Sequence, residues 1–186
     1  MSKRDEIVAA ATRLIRDEGV HAASISEIIA ESHTSAGTIY HHFANKGDIV
    51  LAVARAGLVD PLQSALLAQG RSVLGPPDIF RAIVTTVRSG AVESALIVQL
   101  WAGSSTEPAL RTILHSQFQA ARQAMYAHIE AWLVDRGAVD AAARVDSVAR
   151  VTLGQAMGFL AQSTLDPDFD SDAYVAEATA LLDGIA

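Results

Sequence analysis

The chain has 186 residues, of which 51% are hydrophobic and 19% charged, a balance that excludes a disordered chain and marks a globular one of one or two domains. It contains no cysteine, so disulfides and thiolate metal centres are excluded and a reducing cytoplasm is compatible. The longest uncharged run, Val151 to Leu165, and the charge-studded first 19 residues fit neither the ~20 apolar residues of a membrane helix nor a signal peptide, so a cytoplasmic protein with no membrane partner is expected.

The net charge of −7 is unevenly spread. Residues 1–55 carry six Lys/Arg against seven Asp/Glu, whereas residues 56–186 carry eight against fourteen. A nucleic-acid partner therefore stays open for the first part, where local placement of cations decides.

The elements all read as helices. Ile7, Ala10, Ala11, Leu14 and Ile15 share one face of a helix from about Lys3 to Asp17, followed by Gly19 as its stop. Ser24 to Glu27 has the spacing of a capping box, opening a second helix with Ile25, Ile28 and Ile29 inward. It ends near Glu31. Ser32 to Thr34 form a tight turn, and a short third helix runs from about Ser35 to His42. Asn45 caps a fourth, with Asp48 at its third position. This helix passes Arg55 and is kinked or ended near Pro61. Further helices are expected over Pro77–Ser89, Ala91–Ala102, Glu107–Asp135, Ala141–Leu165 and Ser171–Leu182. The fold class is all-α with about nine helices.

Two helices joined by a three-residue turn, the second very short, suit a helix-turn-helix. Ile39 and Phe43 anchor the short helix. Its other face offers Ser35, Ala36, Gly37, Thr38, Tyr40, His41 and His42, small or hydrogen-bonding groups that leave room for a DNA groove. A metal site at His41 and His42 is disfavoured, because neighbours on a helix diverge by about 100°. No paired carboxylates, nucleophile elbow or phosphate loop is present, so neither an enzyme nor a bound cofactor is expected.

Over roughly residues 4–52 the sequence resembles the TetR (tetracycline repressor) family of regulators. The likeness rests on Ile29-Ala30, Ser35, Gly37-Thr38-Ile39-Tyr40-His41-His42-Phe43 and Lys46. His33 and Thr34 stand where the family has Gly and Val; the Gly position asks for positive φ, which His tolerates. The resemblance implies a DNA-binding domain over residues 1–46 and a helical ligand-binding and dimerisation domain over 47–186. With the residue chemistry, it implies phosphate contacts from Tyr40, His42 and Lys46, aided by Ser24, Ser26 and Ser35. Ala36, Gly37, Thr38 and His41 face base edges. Lys3 and Arg4 add an arm along the DNA backbone. With no Arg, Asn or Gln on this face, bidentate base contacts are missing, and thymine methyls, water and DNA shape carry the reading.

A small, mostly apolar effector fits the second domain. Its candidate lining is Phe80, Trp101, Phe118, Met125, Tyr126, Met157 and Phe159, with Gln99, His115, Gln119 and Gln155 as polar groups. Simple core packing is the competing reading for each. Gly154, Gly158 and Ala161 form a small-residue seam, and Val175, Ala178, Leu181 and Ile185 follow on the last helix. The family resemblance implies a homodimer through these two helices. The expected function is a ligand-responsive repressor of a near-palindromic operator in double-stranded DNA.

Overall fold

The computed structural model describes residues 2–68, 70 and 73–185, with nothing said of the Leu67 side chain. Among the described residues there is no strand, and the helices number nine when the fourth is followed through an internal π turn. They are α1 (Lys3–Glu18), α2 (Ile25–Ser32), α3 (Ala36–His42), α4 (Lys46–Ala54, then the π turn Arg55–Val59, then Asp60–Ala68), α5 (Pro76–Arg88), α6 (Ser94–Ser104), α7 (Pro108–Asp135), α8 (Ala141–Leu165) and α9 (Ser171–Asp183).

The early boundaries are set by short polar side chains. The Ser24 hydroxyl accepts from the Glu27 amide at 3.3 Å while the Glu27 carboxylate accepts from the Ser24 amide at 2.8 Å. Ser2 and Asp5 form the same reciprocal pair at the start of α1. Ser35 accepts from Thr38 N–H, and Asn45 from Asp48 N–H. Each pair satisfies helix-end amides that otherwise lack a partner.

Two expected boundaries differ. Proline does not end α4. The irregularity lies one turn earlier, where the Asp60 amide bonds the Arg55 carbonyl. A Pro61 ring clashes with the carbonyl four residues back, and a widened turn over 55–59 removes that carbonyl from the ring's path. Helix α6 starts at Ser94 rather than Ala91, because Gly90 at φ 77° closes α5 and Val92 turns into a buried position first. The Lys46–Leu66 stretch is long and apolar enough to match a membrane-crossing length. Ile49, Val50 and Val53 in its first half are buried, and α4 packs on α1.

The chain divides into two compact units. The first comprises the described residues of Met1–Asp60 with Ala95–Ser116. In it α1 packs on α2, α3 and α4, and Ile7, Ile15, Ile28, Ile39, Ile49, Leu96 and Leu100 are almost wholly buried. The second comprises Pro61–Ser94 and the described residues of Gln117–Ala186, with α5 packed on α8 and α9. Its core gathers Leu74, Phe80, Met125, Ile129, Trp132, Val148, Phe159, Ala178 and Leu182. A close approach fixes Gly75, since a Cβ there would lie 2.3 Å from Trp132 Nε1. The expected division of roles, 1–46 and 47–186, does not follow this packing line: residues 47–60 and 95–116 pack with the N-terminal helices.

Candidate DNA-binding surface

The α2–α3 turn is built by a non-glycine residue in left-handed geometry. His33 sits at φ 52°, ψ 35°. Its amide bonds the Ala30 carbonyl and the Thr34 amide the Ile29 carbonyl, the paired pattern that closes a helix around a left-handed residue. The substitution of His for the family's Gly thus keeps the turn.

Helix α3 is anchored from one side only. Ile39 is fully buried and Phe43 is 5% exposed, while Tyr40 is 58% exposed. Ser35, Ala36, Gly37, His41 and His42 are also exposed, and Thr38 is half-buried. The Ser35 and Thr38 hydroxyls are 2.9 Å apart, so each keeps part of its capacity for a further partner. The imidazoles of His41 and His42 meet edge to face at 5.0 Å. A Cβ added at Gly37 would meet only Ser35 Oγ, at 3.8 Å.

Beside α3, Ser24 is half-buried and Ser26 exposed, with their hydroxyls 2.9 Å apart. The Glu27 carboxyl is held below its ordinary range by the Ser24 hydroxyl and then the Ser24 amide, so this position stays anionic. Lys46 is half-buried, and its ammonium donates to the Val20 carbonyl at 2.7 Å. Two of its three protons remain for an outside acceptor.

The expected N-terminal arm is corrected. Lys3 and Arg4 lie inside α1, where capping by Ser2 carries the helix to its first residues. Lys3 pairs with Glu6 at 2.7 Å, and the Arg4 guanidinium lies 5.2 Å over the Phe43 ring. Sequence reading missed this contact and the Lys46–Val20 bond. Both join residues far apart in the chain, and no local spacing signals them.

The candidate effector residues separate. Phe80, Met125 and Phe159 are in the core of the second unit. Half-buried Tyr126 donates to Asp146 Oδ1 at 2.5 Å, and Gln155 accepts from the Tyr174 hydroxyl. Phe118 and Met157 are half-buried. Gln99 and Trp101 belong to the first unit and are half-buried; the Trp101 Nε1 is buried without a hydrogen-bond partner. His115 and Gln119 are corrected: both are exposed on α7, so neither lines an enclosed pocket.

The candidate dimer residues separate too. Gly154 faces open space, and Leu181 is 65% exposed. Ala161 is half-buried. Ala178, 3% exposed, is corrected to an intrachain core residue. Val175 and Ile185 pack against the same core, and the seam at Gly158 is covered by the hydroxyl of the chain's own Tyr174. Exposed Val151 and Leu165 continue the Gly154–Ala161 face at helical spacing; sequence reading missed them.

Residues 7–53 match the family of bacterial regulatory proteins described as the tetR family. An HTH-type transcriptional regulator of Mycobacterium tuberculosis is 26% identical over 153 residues, covering 78% of this chain and 70% of that one. Among solved structures, Salmonella enterica GusR superposes with a TM-score of 0.76 at 21% identity, covering 98% of this chain and 94% of the other. FadR from Bacillus subtilis, in complex with stearoyl-CoA, superposes with a TM-score of 0.75 at 16% identity, covering 98% and 99%. The N-terminal helices thus match the tetR family of bacterial regulatory proteins over residues 7–53, and the chain shares the fold of the solved regulators on which it superposes.

Proposed function

We propose that this protein is a repressor that binds a near-palindromic operator as a dimer and is released by a small, mostly apolar effector. The observation that carries the DNA end is the one-sided anchoring of α3, buried at Ile39 and open at Gly37, Tyr40 and His41. In this reading Ala36, Gly37, Thr38 and His41 meet base edges. Tyr40, His42 and Lys46 hold phosphates, with Ser24, Ser26 and Ser35 supplying hydroxyls. Two copies related by a two-fold axis present two α3 helices to major grooves one turn apart, about 34–36 Å, or somewhat more.

The outward face of α8, from Val151 through Gly154 and Ala161 to Leu165, with Leu181 of α9, supports the dimer. Small residues let a second helix approach closely, and the larger apolar ones gain from burial. FadR bound to stearoyl-CoA is the model for an effector with a long apolar part. The unpartnered Trp101 Nε1 supports an effector that also carries an acceptor, because a buried N–H costs about 1–3 kcal/mol until it is satisfied. The effector releases DNA by favouring a state whose α3 spacing no longer fits, with a coupling of about 1–3 kcal/mol. The π turn in α4 supplies a natural bending point. A soluble cytoplasmic regulator accords with this role, with the first turns of Lys46–Leu66 packed on α1.

A gel shift with the DNA flanking the gene, run at several salt concentrations, tests the reading. Sequence-dependent shifts that weaken steeply with salt are expected; salt-independent or absent shifts overturn it.

A further inference from the structure

A cleft of about 510 Å³ lies between the first turns of α1 and the π turn of α4, within the roughly 300–1,000 Å³ of small-molecule sites. Val8 from α1 and Ala52 from α4 line it and are almost buried, so part of its wall is apolar. Arg4 and Asp5 from α1, with Arg55 and Asp60 from α4, supply its charges. Turns of π type recur at functional sites, and this one brings Arg55 and Ala56 to the cleft.

The four charged groups differ in what they have left to offer. Asp5 is committed to the start of α1, where its carboxylate accepts from the Ser2 amide at 2.9 Å. Asp60 lies 3.9 Å from an Arg55 Nη2, beyond hydrogen-bond reach. Both of these side chains are exposed, so the Asp60 carboxylate and the Arg55 N–H donors stay available. The Arg4 guanidinium lies 5.2 Å over the Phe43 ring, a contact that fixes where it sits. Among the described residues it forms no ion pair, so its five N–H donors are not spent on a carboxylate.

We propose that this cleft binds a free aliphatic amino acid. Its carboxylate is held by the Arg4 and Arg55 guanidiniums, whose forked N–H groups match a carboxylate's two oxygens. Its ammonium meets Asp60, and its side chain lies over Val8 and Ala52. Two Arg and two Asp balance, so a dipolar ligand suits the cleft better than a bare anion or cation, either of which leaves one sign unmatched. The site stands apart from the DNA and effector readings and depends on neither. Because Arg4 also covers Phe43, the residue that closes α3, an occupant touches a side chain that braces the helix-turn-helix.

Isothermal titration calorimetry of the full chain with L-leucine, paired with its effect on the melting temperature, is the test. A Kd of about 1 mM or tighter is expected. The analogue 4-methylpentanoate lacks the ammonium and isoamylamine lacks the carboxylate. Each should bind at least about tenfold more weakly, the scale of one lost charge-assisted hydrogen bond. Arg4→Gln and Asp60→Asn should weaken L-leucine by a similar factor. Ala56→Leu fills the cleft from an exposed position and should abolish binding while the protein keeps its helicity. No binding of L-leucine up to about 10 mM by either readout overturns the site and leaves the DNA reading standing. So does an analogue that binds as tightly as L-leucine, or an affinity unchanged in all three variants.

Discussion

The ammonium of Lys46 and the carbonyl of Val20, 26 residues apart, are joined by a 2.7 Å hydrogen bond. It ties the first turn of α4 to the turn between α1 and α2, so the N-terminus of α4 is fixed relative to the helix-turn-helix. Lys46 follows the last residue of α3, His42, by four positions. Under the proposed DNA reading Lys46 would also hold a phosphate, and a salt titration separates that role from the clamp.

Lys46→Met keeps the aliphatic stem and deletes the charge. Loss of the half-buried bond leaves a carbonyl unsatisfied and should cost about 1–2 kcal/mol in urea unfolding. DNA binding should weaken for all sequences alike, and the slope of log K against log salt should become shallower by about 0.9. An unchanged slope would confine Lys46 to the clamp.

His33 stands in left-handed backbone geometry at φ 52°, which costs an L-residue roughly 1–2 kcal/mol. His33→Gly should stabilise the protein by about 0.5–1 kcal/mol, offset in part by the greater freedom of the unfolded chain. His33→Val, whose branched side chain resists this geometry, should lower the melting temperature. Equal melting temperatures for the two variants would contradict the left-handed turn.

Gly75 and Gly154 predict opposite outcomes for the same change. A Cβ at Gly75 runs into Trp132, whereas one at Gly154 meets nothing within 4 Å. Gly75→Ala should cost about 1–3 kcal/mol through displacement of a core indole, read as a lower denaturation midpoint. Gly154→Ala should fold at least as well as wild type by gaining helix propensity. Gly154→Leu should lower the dimer fraction in sedimentation without lowering the monomer's helicity.

Asp146 receives the Tyr126 hydroxyl and the Arg150 guanidinium, which hold its carboxyl below the ordinary value of 3.8. Because the folded-state value is the lower one, its contribution is present above the unfolded-state range and fades as pH falls towards the folded-state value. Asp146→Asn should therefore destabilise the protein at neutral pH and narrow its gap from wild type in acid. A constant gap from neutral pH to about pH 3 would contradict this.

The parts of the head that the sequence made legible are those fixed by neighbours within one turn. Ser24 with Glu27 and Asn45 with Asp48 each pair over three residues, so spacing alone marks those two helix starts. Ile39 and Phe43, four apart, reveal the buried side of α3 and hence the open side. Contacts across the chain had no such signature. Arg4 on Phe43 needs α1 to cross the end of α3, and Tyr174 over Gly158 needs α9 to lie on α8. The second case shows why a run of small residues was a poor guide to the dimer face: Gly158 and Ala178 are small for a neighbour in their own chain, while Gly154 is small beside open space. The π turn was anticipated only as a kink at Pro61, because the ring's clash falls on the preceding turn.

Gly37→Glu places a negative charge on the open side of α3. The position is exposed, and an added Cβ meets only Ser35 Oγ at 3.8 Å. The variant should keep wild-type helicity and melting temperature while its affinity for the gene's flanking DNA falls by at least about a hundredfold, the combined effect of a lost groove contact and a phosphate-facing anion. A variant that folds normally and binds that DNA as tightly as wild type would contradict the DNA reading of α3.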